Sequence, residues 1–154
     1  MAKRILSAFL AIILSFSIIP AFSGQAQAAK VGYDYQQALA YAKKHWNDGK
    51  GLCAEFVSDC LKAGGITDVY ERECENLYNQ LLAQNWGTAY KLKLTGGTRD
   101  RILMADNASK VQKGDPVFFY CNSCHEFTHV VLCNGADANG YMVDYAHNNP
   151  HNGR

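Results

Sequence analysis

Excess charge is what this sequence lacks most plainly. Fifteen lysines and arginines stand against fourteen acidic residues, for a formal net charge of +1. Loss of Lys3 and Arg4 with a leader would take away two positive charges and leave about −1. A near-neutral chain has no basic surface with which to hold a nucleic-acid backbone, and its charge balance selects no other polyanion. An internal repeat and a low-complexity linker are also missing, which excludes a repeat array and a string of separate domains. What is there, 154 residues with 48% hydrophobic and 19% charged content, fits one ordinary globular domain.

The first residues read as a leader. Lys3 and Arg4 form a basic start, Ile5 to Phe22 is apolar, and Ser23 to Ala28 is polar and ends in Ala26-Gln27-Ala28, the small-x-small pattern that a signal peptidase cuts. About 18 apolar residues are also enough to span a bilayer. Pro20 and the small-residue site that follows it favour cleavage near Ala29, so residues 1–28 are expected to be a signal peptide and 29–154 the domain. The mature protein is then secreted, with no stable membrane insertion. Six cysteines, Cys53, Cys60, Cys74, Cys121, Cys124 and Cys133, all follow the leader and would meet an oxidising environment.

Hydrophobic spacing predicts helices first. Ala38, Tyr41, Ala42 and His45 recur at intervals of three and four over Tyr35 to Trp46. Cys53, Phe56, Val57, Cys60 and Leu61 form a second stripe, with Glu55, Ser58, Asp59 and Lys62 off it and Gly64-Gly65 as its stop. A third helix is expected from about Glu71 to Gln84, with Cys74, Leu77, Tyr78, Leu81 and Leu82 on one side. Strands follow: a short candidate at Ala89 to Leu94, a polar loop through Thr95 to Asp100, then Val117 to Tyr120 after the turn Lys113-Gly114-Asp115. Thr128 to Cys133 and Tyr141 to Ala146 should pair as a hairpin across the turn formers 134–140. Helices followed by an antiparallel sheet make an α+β domain.

Chemistry points to Cys53. It follows a glycine-rich break and opens an amphipathic helix, where unpaired N–H groups and the helix dipole stabilise a thiolate. Cys60 lies seven residues on, about 10.5 Å along a helix, too far for a disulfide. A thiol nucleophile needs a base, and His129, at the head of the apolar strand Val130 to Cys133, is the candidate. His147 ends the next strand. An even register sum across the hairpin would put both histidines on one face, where His147 could orient the ring of His129, and would send Asp144, the competing orienting group, to the other. The bland alternatives are an inert core cysteine and surface histidines, which is how His45, His125 and His151 read.

Four blocks together resemble the bacterial papain-like cysteine amidases and peptidases of the NlpC-type and CHAP-like superfamily, nearest to its putative-amidase-domain branch. They are Ala40-Tyr41-Ala42 to Trp46; Cys53 to Leu61 with Gly64-Gly65; Gly114 to Phe119; and His129-Val130-Val131-Leu132 with Tyr145-Ala146-His147-Asn148. The resemblance implies a papain-like fold, Cys53 as nucleophile, His129 as general base and His147 as the third, orienting member. It also implies an amide in peptidoglycan peptides as substrate, no cofactor or metal, and a secreted or cell-wall-associated bacterial setting. Leu52 stands where that family usually has Asp or Asn, and Ala54 where Ser or Thr is frequent, so a polar group that fixes the loop or the substrate is missing.

The remaining cysteines leave choices open. Cys121 and Cys124 are close enough for a local disulfide, which the oxidising compartment favours over half of a zinc site recruiting His125 with Cys74 or Cys133. Cys60 and Cys133 would lie at similar heights on facing elements if Cys53 meets His129, and so are a candidate pair. The rival to the hydrolase is a non-enzymatic secreted binding or toxin-like module, stabilised by disulfides, in which Cys53 is bridged to Cys74. A metal-binding structural domain built on the CxxC is the third possibility.

Overall fold

The computed structural model describes residues 32–95 and 101–147, and the backbone of 151–152. The expected leader and most of the polar loop before Arg101 lie outside the described residues. Helix α1, Tyr35–His45, starts where Asp34 accepts the N–H groups of Gln36 and Gln37 at 2.9 and 3.2 Å. Lys43, Lys44 and His45 meet the negative end of its dipole. Ala38 and Ala42 are its buried face, and small residues there let α1 lie close against α2, Cys53–Ala63. The stripe read from the sequence is the buried face of α2, with one polar addition: Ser58 is fully buried too.

Ser58 explains where the third helix begins. Its hydroxyl donates to the Glu71 carbonyl at 3.1 Å and accepts the Glu71 N–H at 3.0 Å. Both backbone polar groups of Glu71 are thereby taken, and α3 runs over Cys74–Ala83 rather than from Glu71. The strand expected at Ala89 to Leu94 shrinks to β1, Leu94–Thr95, paired with β2, Arg101–Ile102. Just before it, the Asn107 side chain satisfies the backbone of Lys93, accepting its N–H at 2.8 Å and donating to its carbonyl at 3.0 Å. No strand partner is then needed at that residue. Asn107 closes the short helix α4, Met104–Asn107.

The main sheet is antiparallel, in the order β3 (Pro116–Cys121), β4 (Glu126–Ala136), β5 (Met142–Ala146) and β6 (His151–Asn152). Its central strand β4 is buried on both sides, which is why Val130 to Cys133 reads as an unbroken apolar run rather than an alternation. Val130 and Leu132 join Tyr145 and the helices in one core cluster. Val131 and Cys133 face the other way, into a second cluster with Ile102, Val111, Val117, Met142 and Ala146. The architecture is the α+β arrangement of N-terminal helices on a C-terminal antiparallel sheet. Among the described residues no helix is long and apolar enough to cross a membrane.

The hairpin closes in a register other than the expected one. Its ladder pairs even-numbered residues with odd-numbered ones, Leu132 with Tyr145 and Cys133 with Asp144, before a bulge shifts it to Ala136 with Met142. Strict alternation would therefore put His129 and His147 on opposite faces. The expected Cys60–Cys133 pair fails because the two sulfurs lie on opposite sides of the sheet: Cys60 is in the helix-side core and Cys133 in the cluster behind it, both as free thiols.

Candidate active site

Cys53 is the first residue of α2, and its helix start is capped from one side only. Glu55 reaches back to accept the Leu52 N–H with Oε2 at 3.3 Å, the reciprocal half of a capping box. Leu52, in the cap position, has no side-chain oxygen to return to the first turn, and no side-chain cap bond is made there. Tyr70 Oη and Arg72 Nε also meet the Glu55 carboxylate, at 3.3 and 3.5 Å. Together with Ser58 these contacts stitch the segment before α3 onto α2.

That stitching brings a second cysteine to the site. Cys74 opens α3, and its Sγ lies 3.5 Å from Sγ of Cys53. The Cys53 thiol is held well below the usual thiol range. The hydrogen bond from Cys74 is the largest cause; the His129 ring and the Val130 backbone N–H act in the same direction, against burial. Cys74 is pushed up in turn, because its proton is shared with Cys53 and because it is buried. The two shifts favour a proton on Cys74 over one on Cys53.

His129 reaches Cys53 despite the register because of a β-bulge. Phe119 pairs with His129 while Tyr120 pairs with Phe127, so Thr128 is an extra residue in β4. Bulges turn a side chain away from the direction that strict alternation gives it, and they recur beside active sites. The half-buried ring of His129 lies 6.0 Å from that of Phe119, centroid to centroid.

His147 is elsewhere. Its ring stacks on Phe56 at 4.1 Å, its Nε2 lies 2.8 Å from the His45 carbonyl and 3.5 Å from the Asp48 carboxylate, and Nδ1 has no hydrogen-bond partner. Of the three residues picked from the sequence, the fold brings Cys53 and His129 together. It ties His147 to the end of α1 instead, with no hydrogen bond to His129. The other cysteines are out of reach: burial pushes the thiols of Cys60 and Cys133 up, and Cys121 is joined to Cys124 by a disulfide. That bridge removes the CxxC sulfurs from the zinc alternative, and among the described residues no cluster of three or more His, Cys, Asp or Glu could hold a metal.

Val130, Glu55 and Ser58 are the site residues that sequence reasoning missed. Cys74 enters that reasoning as a face residue of the third helix, a candidate zinc ligand and a bridge partner for Cys53; its place at a helix start comes only with the late start of α3. Between α3 and β3 an open groove of about 990 Å³ is walled by Tyr78, Leu82, Trp86, Tyr90, Phe118 and Phe127. Phe127 of its lining is two residues from His129 along β4, and none of Cys53, Cys74 and His129 lines it.

Cys53 at the start of α2, its thiol lowered by Cys74 and by the strand-borne His129, is an arrangement that can supply a sulfur nucleophile. The chain belongs to the family described as "Putative amidase domain", whose model matches residues 32–153. It is thus amidase-like by membership, in a family named for amide hydrolysis. No curated protein and no solved structure matches it.

Proposed function

We infer that the protein is a papain-like cysteine amidase or peptidase that is secreted and acts on peptidoglycan peptides. The observation that carries this reading is the lowered thiol of Cys53 at the start of α2, to which Cys74 and the His129 ring both contribute. His129 holds the proton that Cys53 gives up, and the thiolate attacks the amide carbonyl carbon. The first-turn N–H groups of α2 bind the oxyanion. The amine leaves with the proton from His129, a thioester remains, and water activated by the same imidazole releases the acid. Support for the substrate and the setting comes from the four sequence blocks and the leader-like first 28 residues. No cofactor enters this scheme, and nucleic acid is not among the expected partners.

The test is hydrolysis of isolated peptidoglycan by the reduced protein, followed by mass spectrometry of released peptides. New amine and carboxylate ends, absent with Cys53→Ala, are expected. Activity that persists in Cys53→Ala would sink the cysteine mechanism. The Cys53–Cys74 contact also favours a second reading, the non-enzymatic module with a permanent bridge. That reading requires a Cys53–Cys74 disulfide that resists dithiothreitol in the folded protein.

A further inference from the structure

Cys74 takes no part in the acyl transfer described above, yet it sits against the sulfur that does. The two Sγ atoms are 3.5 Å apart, so a bond of about 2.05 Å needs a closing movement of about 1.5 Å. Each cysteine is the first residue of its helix, and the two helix starts are held face to face by the Glu55 and Ser58 contacts. No other cysteine competes: Cys121 and Cys124 are bonded to each other, Cys60 is sealed in the core, and Cys133 lies behind the sheet. Cys53 and Cys74 keep 6% and 8% of their surface open, against 0% for Cys60 and Cys133.

We propose that Cys53 and Cys74 form a reversible redox latch, in which a disulfide between them switches the hydrolase off and a dithiol reductant switches it on. This rests on reading Cys53 as the nucleophile. A low-molecular-weight disulfide such as oxidised glutathione is the oxidant. The Cys53 thiolate attacks one of its sulfurs and expels a glutathione thiolate, leaving a mixed disulfide on Cys53. Sγ of Cys74 then attacks Cys53 Sγ and expels the second glutathione, to which the Cys74 proton passes. Two electrons move from the cysteine pair to the small disulfide, and exchange with a dithiol reverses both steps. Helix N-termini stabilise thiolates, so the reduced pair is favoured and the bridge opens readily.

The test places the full-length protein in glutathione buffers of graded redox ratio, quenches with acid, alkylates with iodoacetamide and maps peptides by mass. Amide hydrolysis is assayed in parallel. A Cys53–Cys74 cross-linked peptide should grow as the two alkylated peptides decline, hydrolysis should fall in proportion, and native dithiothreitol treatment should restore both. In Cys74→Ser no cross-link forms, and the oxidised protein carries glutathione on Cys53. Cys53 found bridged to another cysteine, or still fully alkylated in the most oxidising buffer, would overturn the latch. So would a cross-link that dithiothreitol cannot open. A cross-link that forms and opens in a protein inactive in both states would retain the redox pair and remove the hydrolase reading.

Discussion

At Cys53 three groups lower one thiol, and they can be separated. Cys74, His129 and Val130 all lower the thiol's pKa, so alkylation by iodoacetamide should already be fast at a pH well below the roughly 8.5 of a free thiol. His129→Ala removes the part of that lowering that comes from the ring. The alkylation profile of Cys53 should then shift to higher pH while Cys74 still donates. An unmoved profile would mean that the imidazole does not act on the thiolate. His147 gives the opposite expectation. His147→Phe preserves the stacking on Phe56 but leaves the His45 carbonyl without its partner, which should cost about 1–3 kcal/mol of stability in a denaturant titration. The Cys53 profile should stay where it is, because His147 makes no hydrogen bond to His129 and is not among the causes that lower the thiol. A profile that moves would restore His147 to the role that the resemblance implies. Residue identity alone shows one histidine at a strand start and one at a strand end; the bulge at Thr128, beside the one whose ring lowers the thiol, is not announced by the sequence.

Elements set where such residues stand, and two of their ends are testable. Asp34 caps α1, and its carboxyl is held below the usual range, first by the Gln37 side chain and then by backbone N–H groups. A carboxyl lowered on folding stabilises the protein above its unfolded pKa, and that contribution is lost as pH falls through the folded value. The melting temperatures of wild type and Asp34→Ala should therefore differ at neutral pH and converge in acid. Gly114 lies in the turn into β3 with φ +89°. A Cβ there would run into Cβ of Tyr35, while the Gly114 carbonyl accepts the Tyr33 hydroxyl at 2.6 Å. Gly114→Ala combines left-handed backbone strain with that overlap and should cost about 1–3 kcal/mol in the same denaturant titration. The extents of α1 and α2 were legible from apolar spacing because their caps and stops are local. The late start of α3 was not, since it depends on Ser58 of α2 taking both backbone polar groups of Glu71, a tertiary contact that apolar periodicity does not report.

For the whole molecule, the sheet carries a core on each face and β4 belongs to both. Sequence order showed the helix layer and the sheet. The second core was hidden, because Leu92, Ile102, Met104 and Val111, which help cover the back of the sheet, lie in or beside very short elements and their burial comes from tertiary contacts. A chain of this size with a shared central strand should unfold as one unit. Leu77→Ala in the helix-side core and Met142→Ala behind the sheet should each lower the unfolding free energy by about 2–5 kcal/mol. In both variants tryptophan fluorescence, which reports on Trp46 and Trp86 in the helix layer, and far-ultraviolet circular dichroism, which reports on the whole backbone, should give one coincident transition. If Met142→Ala instead loses part of its dichroism before its fluorescence changes, the back layer melts separately. The β4 strand that carries His129 would then be held by the helices alone.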